Sequence, residues 1–143
     1  MNESEYIKSR IDDQLNWYER KSAINKKIYQ RCQFLLLIFA GLITLSAFIK
    51  PDGDHKEWLI TVPILGALIA LITGVVKIYK FQENWTAYRS TAELLKFEKF
   101  MFMTKTQPYN GPDAFNVLVQ RVEGLISKEN SQWTQYTSQS EEQ

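Results

Sequence analysis

The chain has one cysteine and one histidine, and both scarcities narrow its chemistry. Cys32 alone cannot close an internal disulfide or build a cysteine-based metal cluster. It opens an apolar run, where it reads either as a small apolar residue at a membrane boundary or as a site of reversible lipidation. His55 falls in a polar loop and reads as a solvated side chain rather than a catalytic or metal-binding one. No zinc-ligand spacing, phosphate-cradling glycine loop or nucleophile motif is evident, whereas catalysis needs several polar groups converging on a pocket. The expectation is a protein that is not an enzyme and uses no cofactor and no metal. Basic residues are spread along helices rather than gathered in a patch, which argues against nucleic acid as a partner.

What the chain does have is two charge-free apolar runs, Cys32 to Ile49 and Trp58 to Val76, separated by Lys50-Pro-Asp-Gly-Asp-His-Lys-Glu57. At about 1.5 Å rise per residue, roughly 18 and roughly 19 residues reach about 27 and 28 Å, close to the ~30 Å hydrocarbon core of a bilayer. The leucine, isoleucine and phenylalanine content of the first run outweighs the smaller insertion penalties of Gly41, Thr44 and Ser46. A buried hairpin in a soluble bundle is the competing reading. It is disfavoured because the runs are apolar on every side and so short a chain could not cover them. A net charge of +1 with 23% charged residues resembles a soluble domain only because two polar arms dilute the apolar part.

The long polar segment before the first run is unlike a secretory leader. Arg20, Lys21, Lys26, Lys27 and Arg31 precede the first run and Lys77, Lys80 and Arg89 follow the second, against Lys50 and Lys56 between them. That bias places both termini in the cytoplasm. Trp58, Tyr79, Phe81 and Trp85 lie at the ends of the second run, where they serve either as interfacial anchors or as packing against neighbouring helices.

Both arms carry helical periodicity. Ile7, Ile11, Leu15, Tyr18, Ile24 and Ile28 recur mostly at three- and four-residue steps. Phe81, Trp85, Tyr88, Ala92, Leu95, Lys99 and Phe102 alternate in steps of four and three, a stripe that requires a partner helix. No breaker follows Pro63 before Met103, so the second span and its extension are expected to form one continuous rod. Arg89 and Glu93 are placed to pair along it. The loop Gln107-Pro-Tyr-Asn-Gly-Pro-Asp113 ends at a helix-capping residue, and Phe115, Leu118, Val122, Leu125, Glu129, Trp133 and Tyr136 trace a last amphipathic helix. Thr137 to Gln143 is expected to fray.

Within the second span, Gly66, Ala70 and Gly74 recur every four residues, a spacing that lets helices approach closely. The partner surface is either the first span, through Gly41 and Thr44 with Ala40 and Ala47, or another subunit. Thr61 and Thr73 either face water in a pore or bond back to their own helix. Asp52, Asp54 and Glu57 beside His55 are a weak cation-binding signal without further oxygen ligands.

The helix ending in Tyr29-Gln-Arg-Cys32, the two spans, the stretch Trp85-Thr-Ala-Tyr88-Arg89-Ser-Thr-Ala-Glu93-Leu94-Leu95-Lys96, and Arg121-Val-Glu123 through Glu129 to Trp133 together resemble the SLATT group of bacterial two-transmembrane domains, including its stand-alone branch. The resemblance implies a pore-forming membrane effector, proposed for the group in conflict systems beside nucleotide-generating or nucleotide-sensing proteins. This chain carries no attached sensor or synthase, so any trigger would come from a separate cytoplasmic partner, an ion or the membrane.

Two helices cannot enclose a wet channel, so conduction requires a symmetric homo-oligomer. With the second helix on the axis, Thr61, Gly66, Ala70 and Thr73 are candidate lining positions, Gly74 a packing position, and Asp52, Asp54 and Glu57 an acidic outer ring favouring cations. The expected fold is an all-α membrane protein in the bacterial inner membrane, a single domain over 1–143. It comprises a cytoplasmic amphipathic helix (1–31), a transmembrane hairpin (32–49 and 58–76) closed by an external loop (50–57), a helical extension (77–104) and a C-terminal helix (113–136), the arms forming a bundle. The expected function is an ion channel or pore, with a non-conducting anchor or scaffold as the alternative and a lipid-handling enzyme a distant third.

Overall fold

The computed structural model describes residues 2–46 and 56–141, apart from the side chains of 56–59, 130 and 132–141. The described residues are helical almost throughout. Helix α1 (Glu3–Tyr6) runs into a π-helical turn (Ile7–Asp12) and then α2 (Asp13–Ser46); α3 (Lys56–Tyr79), α4 (Phe81–Met103) and α5 (Ala114–Glu141) follow. Asn2 starts the chain of helices with a capping box, its Oδ1 accepting from the Glu5 amide at 2.8 Å. The chain divides into two compact units, Ala23–Trp85 and the combination of Met1–Ser22 with Thr86–Gln143.

The first of these units is the apolar hairpin. No residue of either apolar window is fully buried within the chain. Leu37 is 70% exposed and Ile78 77%. Side chains of this kind lose about 1.5–3 kcal/mol each when left in water, so hydrocarbon is the solvent this surface suits. Thr44 and Ser46 donate their hydroxyls to the carbonyls of Ala40 (2.9 Å) and Ile43 (2.6 Å), which satisfies them inside the helix. The fold is an all-α, membrane-competent hairpin with a helical bundle.

Two details differ from the sequence expectation. The continuous rod is interrupted at Lys80, whose φ of 47° lies in the left-handed region, so α3 ends at Tyr79 and α4 restarts at Phe81. A lysine gives no sequence sign of such a break. Asn84 secures it: its backbone amide donates to the Lys80 carbonyl (2.9 Å) and its side-chain amide to the Tyr79 carbonyl (3.0 Å). Pro63, expected in the first turn or two of its helix, lies inside α3 because the helix starts at Lys56; the Leu59 carbonyl therefore loses its usual amide partner.

The second unit is a three-helix core. Tyr6, Ile11, Tyr18, Tyr88, Ala92, Leu95, Tyr109, Leu118, Val122 and Ile126 are buried together, drawn from the amino-terminal helical segment, α4, the loop after it and α5. The α4 stripe from Phe81 to Phe102 holds at every position, each residue being buried or half-buried. On the amino-terminal arm the stripe shifts. Tyr6 and Ser22 are buried, whereas Ile24 is 48% exposed. The π-helical turn, wider than an α-turn, absorbs the five-residue step from Tyr6 to Ile11 so that both face the core. The backbone carbonyl of Asp113 accepts from the Val117 amide (3.0 Å), as its capping position requires. Helix α5 continues through Thr137 to Glu141, where fraying was expected.

Candidate functional site

The hairpin presents two distinct faces. Its less exposed positions are Cys32, Leu36, Phe39, Ile43 and Ser46 on α2 and Leu65, Ile69, Ile72 and Val76 on α3, in alternating steps of four and three. This alternation is the spacing of an antiparallel coiled-coil seam. An independent contact fixes its register: the Lys26 ammonium sits over the Trp85 ring, 5.5 Å from its centroid. Counting along both helices from that pair brings Phe39 level with Ile72 and Ser46 with Leu65.

The small residues stand off this seam. Gly66 and Ala70 are exposed and Gly74 is half-buried. A Cβ added at Gly41, Gly66 or Gly74 would meet no atom within 4 Å, so packing within the hairpin does not use them. At about 100° per residue, Gly66, Ala70, Thr73 and Gly74 share one flank of α3, whereas Thr61 is half a turn away from Ala70. One axis cannot be lined by both groups. Asp52, Asp54 and the Glu57 side chain lie outside the described residues.

The motif after the second span is split in its roles. Tyr88 is buried, its ring edge-on to Trp17 with centroids 5.6 Å apart. Trp85 carries the Lys26 cation. Arg89 and Glu93 pair at 2.7 Å with half their side-chain surfaces in solvent, an i,i+4 bridge contributing a few tenths of a kcal/mol. Lys99, the polar interruption in the α4 stripe, is tied to Asp12 at 2.5 Å, and Lys96 to Glu19 at the same distance.

Three tyrosine–carboxylate pairs join the bundle, and periodicity alone did not single them out. Tyr6 donates to Glu123 (3.1 Å), which also receives two bonds from Arg10 at 2.8 and 2.7 Å. Tyr109 donates to Glu98 in a short bond, and Arg121 reaches the other oxygen at 3.1 Å. Tyr18 donates to Glu129 at 3.0 Å, both groups buried, and no cation bonds this carboxylate among the described residues. Burial pushes the Glu129 carboxyl above the usual carboxylate range, and the Tyr18 bond offsets this only in part. The Arg10 fork holds Glu123 below that range. Burial and then Glu129 raise the Tyr18 hydroxyl.

The two glutamates therefore give pH dependences of opposite sign. Glu129, raised in the folded state, contributes stability that is full below the unfolded carboxylate pKa and lost as pH rises through the folded value. Glu123, lowered, contributes stability present above the unfolded pKa and lost as pH falls through the folded one. Glu129→Gln keeps an acceptor for Tyr18 and removes the buried charge. It is expected to raise the bundle's melting temperature by a few degrees at pH 7 and not at pH 4. Melting followed by tryptophan fluorescence checks this; a difference independent of pH would contradict it.

No curated protein and no solved structure matches the chain. One family model does, over residues 13–116, and these carry most of the amino-terminal arm, both apolar helices, the α4 motif and the loop that leads into α5. The chain belongs to the DUF4231 family of proteins of unknown function.

Proposed function

We propose that the chain is a homo-oligomeric integral membrane protein that conducts ions, with a preference for cations. The observation that carries this reading is the unused small-residue flank of α3: Gly66 and Gly74 open onto empty space while the hairpin closes through a different stripe. A second copy of the hairpin fits such a flank, because small residues allow close approach and identical copies generate a closed ring. Gly66, Ala70 and Thr73 then face or adjoin the axis, and Asp52, Asp54 and Glu57 form the acidic ring that draws cations to the outer mouth. The resemblance to SLATT domains supports a pore, and the basic residues flanking the hairpin support cytoplasmic termini in a bacterial inner membrane. The function is non-enzymatic in this reading, with gating left to the membrane, an ion or a separate cytoplasmic partner.

A scaffold that recruits a partner without conducting is favoured by one observation. Leu94, Phe97, Phe100 and Met103 form an apolar row on α4 that is between 46% and 61% exposed. Flux measurement separates the two. Purified protein in liposomes is expected to carry a monovalent cation flux, reduced in its cation preference by Asp52→Asn with Asp54→Asn and Glu57→Gln. Absence of flux across voltage, pH and calcium would leave the scaffold.

A further inference from the structure

We propose that the hairpin carries a binding site for the phosphate-bearing headgroups of anionic phospholipids, at the end where α2 enters and α3 leaves the apolar region. The proposal rests on the membrane-spanning reading but not on conduction.

The site follows from the register. The Lys26–Trp85 contact sets the two helices level at that point. Moving the same number of residues toward the apolar seam from each side brings Arg31 level with Lys80, with Lys27 behind and Lys77 ahead by about one turn. Lys26, Lys27, Arg31, Lys77 and Lys80 are all exposed, and they collect within a short band just where the apolar runs begin. Glu83 is the one carboxylate among the described side chains of this unit, so the band has a large excess of positive charge.

Three further features distinguish this band from scattered topology charges. Lys80 is held in the left-handed region, a conformation unfavourable for a non-glycine residue and found where surroundings impose it. Asn84 holds the turn between the two helix ends through two bonds, from its backbone amide to the Lys80 carbonyl and from its side-chain amide to the Tyr79 carbonyl. Tyr79, 62% exposed, stacks on Phe81 with ring centroids 5.5 Å apart, placing an amphipathic ring pair beside Lys80 at headgroup depth. Arginine forks and lysine ammoniums match phosphate oxygens, and such bands near a span favour anionic lipid. Zwitterionic phosphatidylcholine presents the same phosphate behind a compensating ammonium, so it competes poorly.

Tryptophan quenching by brominated lipids tests this on the full chain reconstituted in mixed vesicles. Brominated phosphatidylglycerol is expected to quench with a relative binding constant about tenfold or more above brominated phosphatidylcholine. Arg31→Gln, Lys77→Gln and Lys80→Asn should each lower that ratio about fivefold, and the triple variant should approach parity. Asparagine is chosen at Lys80 because it tolerates the left-handed backbone. Lys105→Gln with Lys128→Gln, outside the hairpin unit, should leave the ratio unchanged. Equal quenching by both lipids would overturn the headgroup site while leaving the membrane reading intact. Quenching by neither would overturn both. Competition by millimolar inorganic phosphate would show that the band binds free phosphate rather than lipid, and would also overturn the proposal.

Discussion

Tyr18→Ala is expected to destabilise the bundle by about 3–5 kcal/mol, the range for truncating a large buried aromatic. Tyr18 is 2% exposed, packs edge-on against Trp17 at 5.0 Å between centroids, and lies 6.1 Å from the Tyr88 ring. It is also the group bonded to the Glu129 carboxylate. Truncation opens a cavity and strips that bond together. Set against a domain stability of about 5–15 kcal/mol, the loss brings the bundle close to unfolding. Tyr18→Phe separates the two causes, since it keeps the ring and leaves Glu129 buried without its donor, at a cost of about 1–3 kcal/mol. That cost should grow with pH as the carboxyl ionises. Combining Tyr18→Phe with Glu129→Met removes both polar partners and should recover most of the loss. Fluorescence of Trp17, in contact with Tyr18, reports the transition; a Tyr18→Ala variant melting like the parent protein would refute this packing of α2 on α5.

The helical stripes were legible because burial repeats with the helix period. From Phe81 to Phe102 every expected position is sheltered, including Lys99, whose place on an apolar face makes sense once Asp12 is seen to meet it. Glu129 is the parallel case on α5. A lone carboxylate on an apolar stripe signals a buried partner, but its identity, Tyr18, lies 111 positions away and no local pattern specifies it. Two features escaped for a different reason. The π-helical turn and the break at Lys80 arise where the chain must change phase to keep two surfaces buried, and side-chain types at those positions do not differ from ordinary helix. Ile24 was assigned to the buried stripe because its step from Tyr18 fits loosely; Ser22, one α-turn on from Tyr18, takes the buried place instead. The glycine spacing in the second span suits close helix approach, and sequence left open what would approach it. The seam through Leu65, Ile69, Ile72 and Val76 shows that α2 does not.

Gly66→Leu is accordingly expected to break assembly without breaking the fold. Within one chain the added side chain meets no atom within 4 Å at its Cβ, and leucine is a better helix former than glycine by about 0.8–1 kcal/mol. The hairpin should therefore remain helical and melt no lower than the parent. Between chains the same side chain fills the space that permits close helix approach, where association relies on packing rather than on a hydrophobic force. The particle in detergent should fall to a smaller mass, measured by light scattering, and cation flux should fall with it. Ala70→Leu, one turn along the same flank, should act in the same direction. Leu71→Phe adds volume at an exposed position off that flank and should change neither mass nor flux. Smaller particles with undiminished flux would show that conduction needs no assembly through this face. An unchanged mass for both Gly66→Leu and Ala70→Leu would remove the flank from the subunit interface, and with it the geometric basis for a pore.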